Sequence, residues 1–200
     1  MKSRAGPIRV PPKGADERKC EEMERRASQL AGAGRHGEAF KLFRRLAMQD
    51  NAFGLFSVGY CYDVGEGVKR SPDRALLWYR RAFAKHPDWI PAHNIGTIYR
   101  DLGRPRLALR WFQKSIELGG EDSRFEIAKL YLGPLEDRLA ARKTLEGLLR
   151  RPIYLDFPET IEDARALLEK MDQEEERDGS RQRRGFSGSK RQVARARRAR

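Results

Sequence analysis

Apolar positions along the chain recur at steps of three and four residues, the spacing of helices with one buried face. Leu55, Val58 and Tyr62 form one such run, and Ile95, Ile98, Tyr99 and Leu102 form another. Ala75, Leu76, Tyr79, Ala82 and Phe83 continue the pattern, as do Leu107, Ala108, Trp111 and Phe112. Breakers fall between the runs. Gly34, Gly103 and Gly133-Pro134 divide first helices from second ones, while Pro87, Gly119-Gly120 and Pro152 end second helices. Ser71 before Pro72 predicts a helix start with the serine hydroxyl as cap. Thr160 and Asp163 predict a cap for a last helix reaching to about Met171, with Leu167 and Leu168 on its inner face.

These runs repeat one another. Gly96, Tyr99, Gly103, Ala108, Phe112 and Ser115 stand at a constant offset of 69 residues from Ala27, Leu30, Gly34, Ala39, Phe43 and Leu46. Between the two sets lies a third copy, with Gly59, Tyr62, Ala75, Tyr79 and Ala82. Four additional residues separate its halves, in a loop around Gly65-Glu66-Gly67. A degenerate fourth copy follows at Ala128, Tyr131, Ala141, Leu145 and Leu148. A glycine inside a helix costs about 1 kcal/mol relative to alanine. Gly59 and Gly96, at equivalent places, therefore predict close helix packing, with Ala75 and Ala108 opposite. The expected fold class is all-α, a short α-solenoid of about four antiparallel helix pairs over residues 20–157. A capping helix over 158–176 would cover its end.

From Asn51 to Phe83 the sequence resembles a Sel1-like repeat. Ala52, Gly59, Tyr62, Gly65, Gly67, Val68, Ala75, Trp78, Tyr79 and Ala82 carry the resemblance. Residues 90–118 are similar to its shorter relative, the tetratricopeptide repeat, and the resemblance as a whole covers about residues 20–150. It implies a non-catalytic scaffold that binds another protein in a groove lined by the first helix of each pair. Carried onto this chain, the groove positions are Glu21 and Glu24, then Phe53, Phe56, Tyr60 and Asp63. The next units contribute Ile90, His93, Thr97 and Arg100, then Phe125 and Lys129. Two readings stay open: an aromatic-floored trough for a partner peptide, or aromatics packed on neighbouring helices or the N-terminal segment. The paired lysines and asparagines with which some tetratricopeptide domains clamp a C-terminal carboxylate are absent from these positions.

The Gly65-Glu66-Gly67 loop is not expected to cradle a phosphate. Such a loop needs a strand before it and a helix N-terminus directly after it, and here a helix precedes it. Its glycines are expected to supply positive φ in a turn. Other chemistry is equally thin. His36, His86 and His93 have no histidine or cysteine at metal-ligand spacing, and Cys61 has no base nearby in sequence. No enzyme activity, metal or cofactor is expected. Cys20 and Cys61 read as unpaired thiols of a reducing compartment. There is no run of about 18 apolar residues and no secretory-type apolar segment behind the basic start. The cytoplasm is the expected location.

Charge changes the picture at the two ends. The chain holds 42 Lys plus Arg against 29 Asp plus Glu, a net of +13. Residues 20–176 hold 26 of each sign. Residues 1–19 form a basic arm, expected to be flexible. Residues 177–200 carry ten basic residues and one acidic, and are expected to be a disordered tail. Arg181, Arg183, Arg184, Lys190 and Arg191 lie in its first part; Arg195, Arg197, Arg198 and Arg200 follow. These nine are the candidate anion-binding residues, for nucleic acid or another acidic surface such as an acidic membrane, and the alternative function is a nucleic-acid- or ribosome-associated factor that uses them. A solubilising, nonspecifically adhesive end is the competing reading of the same residues.

Overall fold

A computed structural model of the chain describes residues 14–150 and 159–177. Every regular element among these residues is a helix: α1 (Ala15–Gly32), α2 (His36–Met48), α3 (Ala52–Val64), α4 (Pro72–Lys85), α5 (Trp89–Asp101), α6 (Pro105–Glu117), α7 (Ser123–Leu132), α8 (Arg138–Leu149) and α9 (159–177). The chain divides into two compact units, Met1–Leu102 and Gly103–Arg200.

In the first unit each helix packs on its successor, from α1 through α5. Ala27, Ala39, Phe43, Ala47, Leu55, Val58, Cys61 and Ala82 form a continuous buried cluster. Small residues bring these helices together. A Cβ on Gly59 would lie 2.6 Å from Cδ1 of Tyr79, whose ring is wholly buried. Gly54 sits still closer to its neighbours. A Cβ there would collide with the Leu46 side chain and stand 2.5 Å from the backbone nitrogen of Ala47. Asn51 starts α3, its Oδ1 accepting from the Gly54 amide at 2.8 Å while its Nδ2 donates to Glu24 at 2.7 Å. Glu24, expected in the groove, is thereby committed to holding the α3 cap.

Gly65 ends α3 in the left-handed region, at φ 87°, and Gly67 also takes positive φ, at 70°. The expected turn is present, and it has a packing role too. A Cβ on Gly67 would collide with the carbonyl of His36 at the start of α2. One expectation fails beside it. Ser71 does precede α4, but its hydroxyl makes no cap bond. The Ser71 amide instead donates to the Tyr62 carbonyl at 2.8 Å.

In the second unit α6 packs on α7 and α7 on α8. Ser115 and Ser123, both fully buried, satisfy one another through a 2.8 Å Oγ–Oγ hydrogen bond. Ala128, Ala141, Leu145 and Leu148 join Ala164 and Met171 of α9 in one core, with Leu167 and Leu168 packed beside it. Thr160 and Asp163 lie inside α9 and do not cap it, and the helix runs on to residue 177. Its extension past Met171 has a cause in α8. Arg138 donates to Glu174 and to the Met171 carbonyl, each at 2.9 Å, and Arg142 pairs with Asp172 at 2.7 Å and Glu175 at 3.1 Å. Pro152 and the segment 151–158 lie outside the described residues.

Candidate functional site

The groove residues of the first unit fall into three environments. Phe53, Phe56 and Ile90 share a cleft of about 290 Å³ with Ala52, Ala82 and Pro91. Phe53 is 37% exposed and Ile90 39%, so both present apolar surface to solvent. The Phe53 ring meets Phe43 edge-on at 5.8 Å, while Phe56 leans on Tyr79 at 5.5 Å. Each of these aromatics thus packs on a neighbouring helix and also lines the cleft. Asp88 closes one end of the cleft, its carboxylate accepting from the Ile90 amide at 2.9 Å as the cap of α5.

Phe56 also borders a second cleft, of about 310 Å³, with Tyr60 on its rim. Tyr60 is 42% exposed. Ser28 and Ala31 from α1, and His36, Ala39 and Phe43 from α2, complete the wall. Cys61 and Glu66 lie on the α3 side. His36 Nδ1 stands 3.2 Å from Glu66 Oε2. A cysteine, a histidine and a carboxylate in one cleft invite comparison with a nucleophilic triad, a juxtaposition the sequence did not disclose. The chemistry runs the other way. An activated cysteine has its thiol pKa pulled down by a neighbouring cation, whereas burial, with the charge of Glu66, pushes the Cys61 thiol up to about 11. The Cys61 thiol makes no hydrogen bond among the described residues; its carbonyl accepts from the Gly65 and Glu66 amides.

This gives a simple expected outcome. Iodoacetamide at pH 8 should modify Cys20, which is partly exposed, and leave Cys61 protonated and unreacted until the protein unfolds. Peptide mapping after timed quenching checks it; equal labelling of the two in the native state would contradict the burial of Cys61.

The third environment is polar. Asp63 is half-buried and accepts from the Tyr79 hydroxyl at 3.4 Å. Burial, the larger effect, raises its carboxyl pKa, partly opposed by that hydrogen bond and by Arg70. Burial likewise raises the phenol pKa of Tyr79. His93 and Thr97 are half-buried on α5, and Arg100 pairs with Asp101 at 2.9 Å. None of the four, Asp63 included, lines either cleft. Phe125 and Lys129 belong to the second unit, where the lysine ammonium sits 4.8 Å from the Phe125 ring centre and 2.5 Å from Glu126. Arg181, Arg183, Arg184, Lys190, Arg191, Arg195, Arg197, Arg198 and Arg200 lie outside the described residues. Among the described residues no group of His, Cys, Asp and Glu could hold a metal ion, and no helix is long and apolar enough to cross a membrane.

The Sel1 repeat family matches the chain in three segments, residues 36–51, 52–86 and 94–120. The last segment, similar to a tetratricopeptide repeat by its spacing, is thus also read as Sel1. Among solved structures, a Sel1 repeat protein from Oxalobacter formigenes is similar at 25% identity and a TM-score of 0.52, over 62% of this chain and 54% of that one. This chain therefore spans about half the length of that protein. A MamA protein aligns at 15% identity and a TM-score of 0.55, over 65% of this chain and 71% of its own. YrrB, described as a TPR protein with an unusual peptide-binding site, aligns at 20% identity and a TM-score of 0.52, over 68% of this chain and 73% of its own. The latter two speak for the fold alone, an α-solenoid of the Sel1 and tetratricopeptide kind. No curated protein matches the chain.

Proposed function

Because this chain carries Sel1 repeats, a fold typical of protein–protein interaction scaffolds, we propose that it is a non-catalytic adaptor that holds a partner peptide on the first helices of its repeats. The observation that carries the reading is the pair of clefts joined at Phe56, with Phe53, Ile90 and Tyr60 offering exposed apolar and aromatic surface. Clefts of this size take single side chains, and two of them side by side suit alternate anchors of one extended or helical segment. The raised thiol pKa of Cys61 favours binding over catalysis at this place. Free thiols at Cys20 and Cys61 support a cytoplasmic location.

The test uses Phe53 and Ile90, two partly exposed anchors that share one cleft. Full-length protein and the Phe53→Ala/Ile90→Ala variant are used to capture partners from native lysate, and the captured proteins are compared by mass spectrometry. The expected result is loss of a defined partner, by about tenfold or more, as fits a central apolar anchor worth over 1 kcal/mol. Unchanged capture by a variant of normal helicity would remove these clefts as the contact surface. The nucleic-acid alternative, through the arginine tail of 177–200, rests on the ten positive charges there.

A further inference from the structure

From α2 to α6 charge is uneven between successive helices. The first helices α3 and α5 hold one cation between them, Arg100, and two acids, Asp63 and Asp101. The second helices are the reverse. On α2, Lys41, Arg44 and Arg45 face one acid, Glu38. On α4, Arg74, Arg80, Arg81 and Lys85 face Asp73, and on α6, Arg106, Arg110 and Lys114 face Glu117. An overall neutral stretch therefore conceals a basic set of helices.

Cations of α2 gather with two from α1, a helix that itself carries five acids, where the two helices meet. Two adjoining depressions of about 450 and 550 Å³ open there, sharing Met23, Lys41 and Arg45. Lys19 and Arg26 line them from α1, and Arg44 joins from α2, making five cations in all. The acids on the walls are Glu22 and Glu38, and Glu38 is already taken by Arg35 at 2.6 Å. Among the described residues none of the five cations makes a close ion pair, although Lys41 and Arg26 feel the charge of Glu38 at longer range. Leu30 and Leu42 form the floor, and Met48, 66% exposed, stands at the edge. Five unpaired cations repel one another, which a folded protein carries at a cost to its stability and which a bound polyanion relieves.

We propose that this α1–α2 face binds a nucleic acid through its phosphate backbone. Neither end of the chain is a fitting occupant, since residues 1–19 and 177–200 are both basic. A second copy would bring the same positive helices. Cations recur on successive second helices as well as at both ends, a repetition that matches a uniform polyanion better than one short acidic segment. No exposed aromatic lines the depressions to stack on a base, so the binding is sequence-independent and steeply salt-dependent.

The experiment measures fluorescence anisotropy of a labelled single-stranded RNA and a mixed-sequence DNA duplex, with the full chain at about 50 and 200 mM salt. The Lys41→Glu/Arg44→Glu/Arg45→Glu variant, and its Gln counterpart as a milder change, are compared with a tail variant, Arg195→Glu/Arg197→Glu/Arg198→Glu. Circular dichroism confirms helicity in each. The α2 variants are expected to lose about tenfold or more at low salt, with a salt slope shallower by about 2 to 3, as three lost phosphate contacts imply. The loss should persist in the tail variant's background. Wild-type affinity in both α2 variants overturns the proposal, as does absence of binding at low salt, or a tail variant that alone abolishes it. Tighter binding of a polyglutamate peptide than of either nucleic acid overturns it in favour of an acidic protein partner.

Discussion

Tyr79→Ala should cost about 3–5 kcal/mol of stability, the range for removing a fully buried aromatic ring. The ring is wholly buried, lies over the bare backbone of Gly59 and meets Phe56 at 5.5 Å. Nothing flexible stands ready to fill the space. Gly59 has no side chain, and Leu55 and Val58 of the same helix are already fully buried. Tyr79→Phe separates packing from polarity. It removes the hydroxyl's hydrogen bonds, the 3.4 Å one to Asp63 and one with Asn94, and should cost about 1–2 kcal/mol. Urea unfolding followed by circular dichroism reads both. A Tyr79→Ala midpoint within error of the parent would mean that α3 and α4 are not joined through this ring.

Gly54→Ala is expected to destabilise by about 1–3 kcal/mol or more, although alanine is the better helix former by about 1 kcal/mol. The opposing term is steric. The added methyl would overlap the Leu46 side chain and approach the Ala47 backbone nitrogen to 2.5 Å, and neither is the free end of a long chain that can swing away. α2 and α3 must separate, which opens the cluster around Phe43 and Leu55. Gly147→Ala is the matched control. That glycine lies in α8 with nothing within 4 Å of an added Cβ, so the same substitution should stabilise by about 1 kcal/mol. Opposite signs from one chemical change, measured by the same unfolding titration, are the expected signature. A stabilised Gly54→Ala would show that the α2–α3 contact is looser than described.

The two substitutions differ in how visible their sites were beforehand. Gly59 and Tyr79 are repeat positions, so their spacing announced a close helix pair before any coordinates. Gly54 belongs to the junction between consecutive pairs and has no counterpart in the periodic pattern, so nothing marked it. The helix ends at Gly34, Gly65 and Gly103 were legible because positive φ leaves few alternatives to glycine. Ser71 and Thr160 misled for a shared reason. A capping residue type is necessary for a cap but does not choose between bonding an amide and facing elsewhere. Phe53 and Phe56 were placed on a first helix correctly, yet their division between cleft and core depends on Phe43 and Tyr79, which come from other helices. The α1–α2 basic face was hidden more thoroughly. Lys19 and Lys41 are 22 residues apart, and only the pairing of two helices makes them neighbours.

Gly67 reaches back to the His36 carbonyl of the preceding pair, whereas nothing lies within 4 Å of a Cβ placed on Gly103. The two inter-helix turns are therefore unequal joints. A side chain placed at Gly67 pulls a brace from under α2, while one at Gly103 has room but meets the strain of a left-handed backbone, φ 66°. Replacing either glycine therefore carries a cost, steric and conformational at Gly67, conformational alone at Gly103.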